Sequence, residues 1–108
     1  MGEQEFEYRI SKLLKEKGYL IINATSSRPF DIIAAKNSIV YFIELKGKNT
    51  RLTIGQFMRQ KMMSKQYFLE YVIIRQSKKT GKIEVESYRD GEPTQGTMLE
   101  ADLEYITA

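Results

Sequence analysis

Two β-rich runs with a very short polar connection constrain the fold of this chain more than any other feature. Residues 31–35 read "DIIAA" and residues 39–46 read "IVYFIELK", with "KNS" between them. So short a connection leaves no room for a crossover, and the two runs are expected to pair as an antiparallel hairpin. A two-residue loop would consist of Asn37 and Ser38, whereas a loop of three residues would shift the register by one.

Two acidic residues stand in this otherwise apolar hairpin. Side chains alternate between the faces of a strand, so Glu44 shares its face with Lys46. A two-residue loop places Asp31 opposite Glu44, and the Cβ atoms of such paired residues are about 5 Å apart. Two ionised carboxylates at that distance repel each other unless a cation lies between them or one holds a proton. With a two-residue loop, the hairpin therefore predicts either a bound cation between the two carboxylates or a proton on one of them.

The residue types restrict the chemistry of that site. The sequence contains no Cys and no His, which removes disulfides, thiol nucleophiles, the commonest general base and the usual zinc ligands. A bound metal must then have oxygen ligands, which favours Mg²⁺ or Mn²⁺. An ion held by Asp31 and Glu44 would polarise a phosphodiester and activate a water molecule, which Lys46 would orient or help to deprotonate.

A basic segment follows the second strand of the hairpin. Residues 45–69 contain six lysines and arginines and no acidic residue, although the net charge of the chain is only +3. A block of one charge sign is typical of a surface that binds a polyanion such as DNA, and it is also compatible with a solvated basic face. The expected phosphate contacts, which flank the predicted site or lie in this segment, are Arg28, Lys48, Arg51 and Arg59.

The remaining sequence predicts further helices and strands, with "DGEPTQG" as a loop. The expected helices are residues 3–17, a segment beginning near Ile54, and a short segment from Thr97 to about Ile106. The expected strands outside the hairpin are residues 19–23, 71–75 and 82–88. The second helix is expected to bury an apolar face made of Ile54, Phe57, Met58, Met62 and Leu69.

The order α-β-β-β-α-β-β predicts an α/β fold with a central mixed β-sheet flanked by helices. A chain of 108 residues has room for one modest core, and we expect a single domain over residues 1–108. No run is long and apolar enough to span a bilayer, and the first ten residues are too charged for a signal peptide. We therefore expect a soluble, cytoplasmic protein with no membrane partner.

The hairpin sequence resembles the core motif of the PD-(D/E)xK nuclease superfamily, with Asp31, Glu44 and Lys46 at its three positions. The literal "PD" is missing, because Phe30 precedes Asp31. Over about residues 3–75 the pattern resembles the archaeal Holliday junction resolvases, which have a Glu on the first helix, a Ser-containing loop before the Asp and a basic helix after the Lys. The segment "KGKNTRLTIGQ" is also similar to the small VRR-NUC nucleases.

The resemblance implies a restriction-endonuclease-like core and a Mg²⁺- or Mn²⁺-dependent endonuclease that acts as a homodimer on four-way junction DNA. The implied metal ligands are Asp31, Glu44, Leu45 and Glu7. Glu7 would act with the motif residues in catalysis, and Glu3, one turn earlier on the helix, is the alternative. The implied loop serine is Ser26 or Ser27, and Gln56 is similar to a glutamine on the helix after the E-x-K strand.

Other interpretations stay open at this point. Asp31 is also compatible with a strand cap, Glu44 and Lys46 with an exposed ion-pair ladder on an edge strand, and Glu7 with a solvated helix position. Ser26 and Ser27 are compatible with plain loop residues. The alternatives for function are another small nuclease of this superfamily, such as a nickase or a flap or single-strand nuclease, and a non-catalytic nucleic-acid-binding module.

Overall fold

A computed structural model describes residues 3–24, 30–46, 54–67, 69–76, 79–95 and 97–103. In these residues the helices are α1 (Glu3–Glu16), α2 (Ile54–Gln66) and α3 (Met98–Leu103). The strands are β1 (Leu20–Asn23), β2 (Ile32–Lys36), β3 (Ile39–Lys46), β4 (Glu70–Gln76), β5 (Ile83–Arg89) and β6 (Glu92–Thr94). None of the described helices has the length and apolarity needed to cross a membrane.

The six strands form one mixed sheet in which the strand order follows the chain order. Neighbouring strands are antiparallel except for β3 and β4, which are parallel. A parallel pair needs a crossover connection, and α2 lies in the segment that connects β3 to β4. The predicted α/β class, a mixed sheet flanked by helices, is confirmed.

The β2–β3 hairpin has the predicted two-residue loop. Lys36 pairs with Ile39, and both loop residues have positive φ angles, 52° at Asn37 and 66° at Ser38. Positive φ at both central positions defines a type I′ turn, whose twist matches that of the flanking strands. The loop thereby fixes which side chains of β3 lie on each face of the sheet.

The two faces of the sheet carry separate apolar clusters. The face covered by α1 and α3, here called the α1 face, carries the larger cluster. Its buried residues include Phe6, Ile10, Leu14, Ile32, Tyr41, Ile43, Val72, Ile74, Leu99 and Leu103. On the opposite face, the α2 face, the cluster comprises Leu69, Tyr71, Ile73 and Tyr88 with Phe30, Phe42, Phe57 and Met63 packed against it. Glu44 and Lys46 alternate with the residues of the α1 face and so belong to the α2 face.

The prediction for the buried face of α2 is wrong in part. Ile54, Met58 and Met62 are exposed, whereas Phe57 and Met63 pack against the sheet. The Phe57 ring meets the Tyr88 ring edge-on, with 5.6 Å between ring centroids. The helix is therefore rotated about its axis from the predicted orientation, because its contact with the sheet is set by a ring on β5 rather than by its own apolar spacing.

The segment "DGEPTQG", predicted as a loop, contains β6. Its residues pair with β5 after a turn in which Asp90 and Gly91 have φ angles of 53° and 75°. The Gly91 N–H also donates a hydrogen bond of 2.9 Å to Ser64 Oγ on α2. Sequence pattern missed this strand because it is only three residues long and contains Pro93, which is tolerated at a sheet edge.

Helix α3 begins as predicted, with Thr97 as its cap. The Glu100 N–H donates to Thr97 Oγ1 at 3.2 Å, which satisfies one of the main-chain donors at the helix start. The structure describes this helix as far as Leu103, and the predicted extension to Ile106 lies outside the described residues. Leu99 and Leu103 are buried and attach α3 to the α1 face.

A polar cluster lies where β3 and β4 begin, on the α1 face. Glu70 pairs with Tyr41 across the parallel strands, is buried, and forms an ion pair with Arg89. Burial, and then the charge of Glu70, raise the pKa of Tyr41 to about 12. Burial, followed by a hydrogen bond of 2.7 Å to Asp102, also raises the pKa of Tyr19. Both tyrosines are thus held in the neutral form.

Candidate active site

Asp31 lies where the regular pairing of β2 with β3 ends. The last pair of the ladder is Ile32 with Ile43, and the Asp31 N–H donates to the Ile43 carbonyl at 2.8 Å. The ladder thus shifts by one residue, as it does at a β-bulge. The side chain of Asp31 turns to β3, and its Oδ2 accepts a hydrogen bond of 2.8 Å from the Leu45 N–H. The predicted side-by-side pairing with Glu44 is therefore replaced by contact with the main chain of the next residue.

Phe30, which stands where the motif has its proline, anchors the residue before Asp31. Its ring packs against that of Phe42 on the α2 face, with 4.5 Å between centroids. The apolar contact holds the chain against β3 just before Asp31. A proline at this position is therefore not needed to place the carboxylate.

Glu44 and Lys46 form an ion pair inside the protein. Lys46 Nζ lies 3.4 Å from Glu44 Oε1, and the two side chains are only 6% and 14% exposed. β3 lies between β2 and β4, so the interpretation as an ion-pair ladder on an edge strand is wrong. Burying two charges costs free energy that their attraction recovers only in part. A contribution to the free energy of folding is therefore not a sufficient reason for this ion pair.

The main chain of Leu45 contributes polar groups to the same place. Its N–H points to the β2 side of β3, where it meets Asp31. In an extended strand the N–H and C=O of one residue point to the same side, so the Leu45 carbonyl also faces the edge beside Asp31. Asp31, Glu44, Leu45 and Lys46 are thus brought together at the end of β3.

Glu7 is directed towards β1. Its Oε2 accepts a hydrogen bond of 3.1 Å from Asn23 Nδ2, which also donates to Ser11 Oγ at 3.0 Å. Asn23 precedes Ala24, whose N–H donates to the Asp31 carbonyl at 2.8 Å, so Glu7 lies near the same end of the sheet as Asp31. Within the described residues, no three acidic side chains lie close enough to share a metal ion.

The predicted DNA contacts fall largely outside the described residues. Ser26, Ser27 and Arg28 belong to residues 25–29, and Lys48 and Arg51 belong to residues 47–53, neither of which is described. The side chain of Glu3, the alternative to Glu7, is not described either. Gln56 lies in the first turn of α2 with its side chain outside the description, and Arg59 is exposed on the same helix.

The donor atoms at the end of β3 suit a hard divalent cation. The carboxylates of Asp31 and Glu44 and the carbonyl of Leu45 are oxygen donors, which Mg²⁺ and Mn²⁺ prefer. Mg²⁺ is usually held by one or two carboxylates and keeps several water molecules. A third carboxylate is therefore not required, and the residues present fit such an ion.

Two charged residues beside this site were missed by sequence reasoning. Arg75 pairs with Lys46 across the parallel strands β3 and β4, and Glu86 on β5 lies 3.6 Å from its guanidinium. Tyr88 OH donates to Glu86 Oε2 at 3.4 Å, and burial followed by the Glu86 charge raises the pKa of Tyr88. Arg75 is the single charged residue of "YVIIR", but only the β3–β4 register places it beside Lys46.

Comparison with known proteins finds similarity to a curated protein and to solved structures. No family model matches the chain. A UPF0102 protein from Fervidobacterium nodosum is 34% identical over 83 residues, which cover 68% of this chain and 62% of the relative. The chain thus spans less than two thirds of the length of that relative.

One of the solved structures is that of Archaeoglobus fulgidus Hjc, a Holliday junction resolvase from an archaeal hyperthermophile. The match covers 77% of this chain and 73% of the resolvase chain, with a TM-score of 0.53 and 17% sequence identity. The similarity therefore concerns the fold. The resemblance seen in the sequence is thereby confirmed at the level of the fold: the mixed six-stranded sheet with flanking helices is shared with an archaeal Holliday junction resolvase.

Proposed function

We propose that this protein is a metal-dependent, structure-selective DNA endonuclease that resolves four-way junctions. The observation that carries the proposal is the largely buried Glu44–Lys46 pair beside Asp31, on an interior strand of a nuclease-like fold. A buried ion pair can often be replaced by apolar residues without loss of stability. A chemical role accounts for keeping two carboxylates and an ammonium group in this place.

Each of these residues has a defined task in hydrolysis. Asp31, Glu44 and the Leu45 carbonyl would hold Mg²⁺ or Mn²⁺, which polarises the phosphodiester and lowers the pKa of a bound water when present. Lys46, held by Glu44, orients the attacking water and offsets the negative charge that builds up on the phosphate. Glu7, tied to Asn23, would supply a further carboxylate near the Asp31 end of the sheet.

The proposed partner is branched DNA, bound by the basic segment. Arg59 is exposed on α2, and the segment carries no acidic residue, so the phosphate backbone meets charges of one sign. Contacts of this kind position nucleic acid without reading its sequence. Ser26, Ser27, Arg28, Lys48, Arg51 and Gln56 stay proposed contacts on the basis of the resemblance.

A homodimer is proposed because a four-way junction needs two matched nicks and this chain carries one candidate site. An apolar area on the α2 face supports an interface. Leu20 and Ile22 on β1 and Val40 on β3 are exposed. The strand register places Leu20 and Val40 on either side of Ala35 on β2. Sedimentation of the protein as a monomer at micromolar concentration, with and without junction DNA, would contradict this part of the proposal.

The test uses end-labelled four-way junction, matched duplex and single-stranded DNA, each with Mg²⁺ and with EDTA. Wild type and Glu44→Ala are compared, because the variant should lose cleavage but keep DNA binding. Paired nicks in the junction alone, absent with EDTA and in the variant, are the expected result. Cleavage of the other substrates would indicate a less selective nuclease, and binding of DNA without any cleavage would indicate a non-catalytic binding module.

A further inference from the structure

Arg75 and Lys46 place two cationic side chains next to each other on one face of the sheet. The two residues are register partners in the parallel strands β4 and β3, and adjacent strands lie about 4.8 Å apart. Both side chains belong to the α2 face. Two residues earlier on β4, the buried Ile73 lies on the same face and pairs with Glu44 on β3 and with Glu86 on β5. Arg75 therefore lies directly beside Lys46 of the candidate active site.

The guanidinium of Arg75 is only loosely held. Its Nη2 lies 3.6 Å from Glu86 Oε1, which is too long for a hydrogen bond. Glu84 lies directly opposite Arg75 in the β4–β5 ladder, yet the ion pair is made with Glu86. Nε of Arg75 is buried, and no described residue accepts a hydrogen bond from it.

A buried donor without an acceptor costs free energy, all the more on a group that is always charged. Cores of native proteins rarely contain such a group without a functional reason. The guanidinium presents several N–H donors in a fixed plane, which matches two oxygens of one phosphate. A third of the Arg75 side chain, 32%, is exposed, so an anion can reach it from solvent.

We propose that Arg75 binds a phosphate of the DNA backbone next to the phosphodiester bond that is hydrolysed beside Lys46. Glu86 positions the guanidinium of Arg75 for this contact. The inference rests on the proposed nuclease function and assigns a substrate-binding residue that the PD-(D/E)xK motif does not contain. Tyr88 donates a hydrogen bond to Oε2 of Glu86, whereas Arg75 faces Oε1, so the two residues contact different oxygens of the carboxylate. The phosphate would complete the hydrogen bonding that Glu86 leaves unfinished.

The first test measures the salt dependence of junction binding on a Glu44→Ala background, which binds without cleaving. We expect Arg75→Ala to weaken binding about tenfold and to reduce the slope of log affinity against log salt by about one. Arg75→Lys should restore the slope but only part of the affinity, because an ammonium group cannot bind two oxygens in one plane. Lys36→Gln, which removes one positive charge at the hairpin end of the sheet, should leave the slope unchanged.

The role of Glu86 has a matched control on the same strand. Glu86→Gln should lower the single-turnover cleavage rate of wild type several-fold with little change in junction affinity, because the phosphate contact is misplaced rather than lost. Glu84→Gln removes the same charge from the neighbouring position, where no ion pair with Arg75 forms, and should not slow cleavage. Equal rates for the two variants would contradict the positioning role.

The Nε–Hε NMR signal of Arg75 reports directly on the contact. It is assigned by its absence in Arg75→Lys and should shift when junction DNA is added to the Glu44→Ala protein, while the Arg89 signal stays in place. Unchanged affinity, slope and signal, with cleavage intact in wild type, would overturn the assignment of Arg75 alone. Failure of wild type to bind or cleave any DNA would overturn the proposed function and this inference together.

Discussion

Asp31 Oδ2 accepts a hydrogen bond of 2.8 Å from the Leu45 N–H at the point where β2 has ended and β3 continues. The bond satisfies a main-chain donor that the sheet no longer pairs. It also holds a carboxylate beside the Glu44–Lys46 pair. Asp31 therefore has a structural task, which needs only an acceptor oxygen, and a proposed chemical task, which needs a charge.

Substitutions of Asp31 should separate these two tasks. Asp31→Asn keeps an acceptor for Leu45 and should leave the free energy of unfolding within about 1 kcal/mol of wild type, whereas Asp31→Ala should lower it by about 1–3 kcal/mol. Both variants should lose Mn²⁺ binding in calorimetric titration. Urea unfolding measures the first effect, and equal stability of the two variants would show that the Leu45 hydrogen bond contributes little.

The Glu44–Lys46 pair should show strong coupling in a double-mutant cycle. Glu44→Leu alone leaves the buried ammonium group of Lys46 without this carboxylate and should lower the free energy of unfolding by about 3 kcal/mol, whereas Lys46→Met, which leaves the more exposed Glu44, should lower it by less. The double variant removes both charges and should recover most of that loss, since an apolar pair of similar volume costs little. Additive losses in urea unfolding would mean that the pair is not coupled.

Alkaline conditions should destabilise the fold through Tyr41. Its folded pKa of about 12 lies above the ordinary value of 10.0, so the folded state holds its proton more tightly than the unfolded chain. Stability from this group is complete below about pH 10 and is lost as pH rises towards 12, with a slope of up to about 1.4 kcal/mol per pH unit.

Tyr41→Phe should flatten that alkaline loss. Its hydroxyl donates no hydrogen bond to a described residue and has only a weak main-chain contact with Leu99, so the change should alter the free energy of unfolding at pH 7 by less than about 1 kcal/mol. Thermal unfolding between pH 7 and pH 12 measures the effect, with Tyr67→Phe, at an exposed position, as the control for loss of a hydroxyl. The same alkaline slope in Tyr41→Phe and wild type would contradict the assignment.

The hairpin loop should accept glycine at its second position. Ser38 has a φ of 66°, a conformation that disfavours residues with a Cβ atom, and Asn-Gly is a preferred pair for this turn. Ser38→Gly should raise the free energy of unfolding by about 0.5–1 kcal/mol, net of the entropy that glycine loses on folding. A lower urea midpoint for the variant would contradict the turn assignment.

Local signals in the sequence were enough for the hairpin and for the order of the helices and strands from α1 to β5, but not for the short strand β6. The Asn37–Ser38 loop and the alternation along β3 depend on neighbouring residues, so the shared face of Glu44 and Lys46 could be predicted. The slip at Asp31 could not, because it depends on a side chain that competes with the sheet for the Leu45 N–H.

Features that depend on distant contacts were beyond sequence reasoning. The rotation of α2 follows from the contact between Phe57 and Tyr88, which are far apart in the chain. Arg75 becomes a neighbour of Lys46 only through the parallel register of β3 and β4. A single sequence shows the composition of these segments but not the register that joins them.

The most direct test of the central claim is the single-turnover cleavage rate of a labelled four-way junction by wild type and by Lys46→Ala, with Mn²⁺ at a concentration that saturates both. We predict paired nicks by wild type and a loss of cleavage of at least a hundredfold in the variant, whose Mn²⁺ affinity and junction affinity stay close to those of wild type. Equal cleavage by the two proteins, or none by wild type, would contradict the assignment of this site as a nuclease centre.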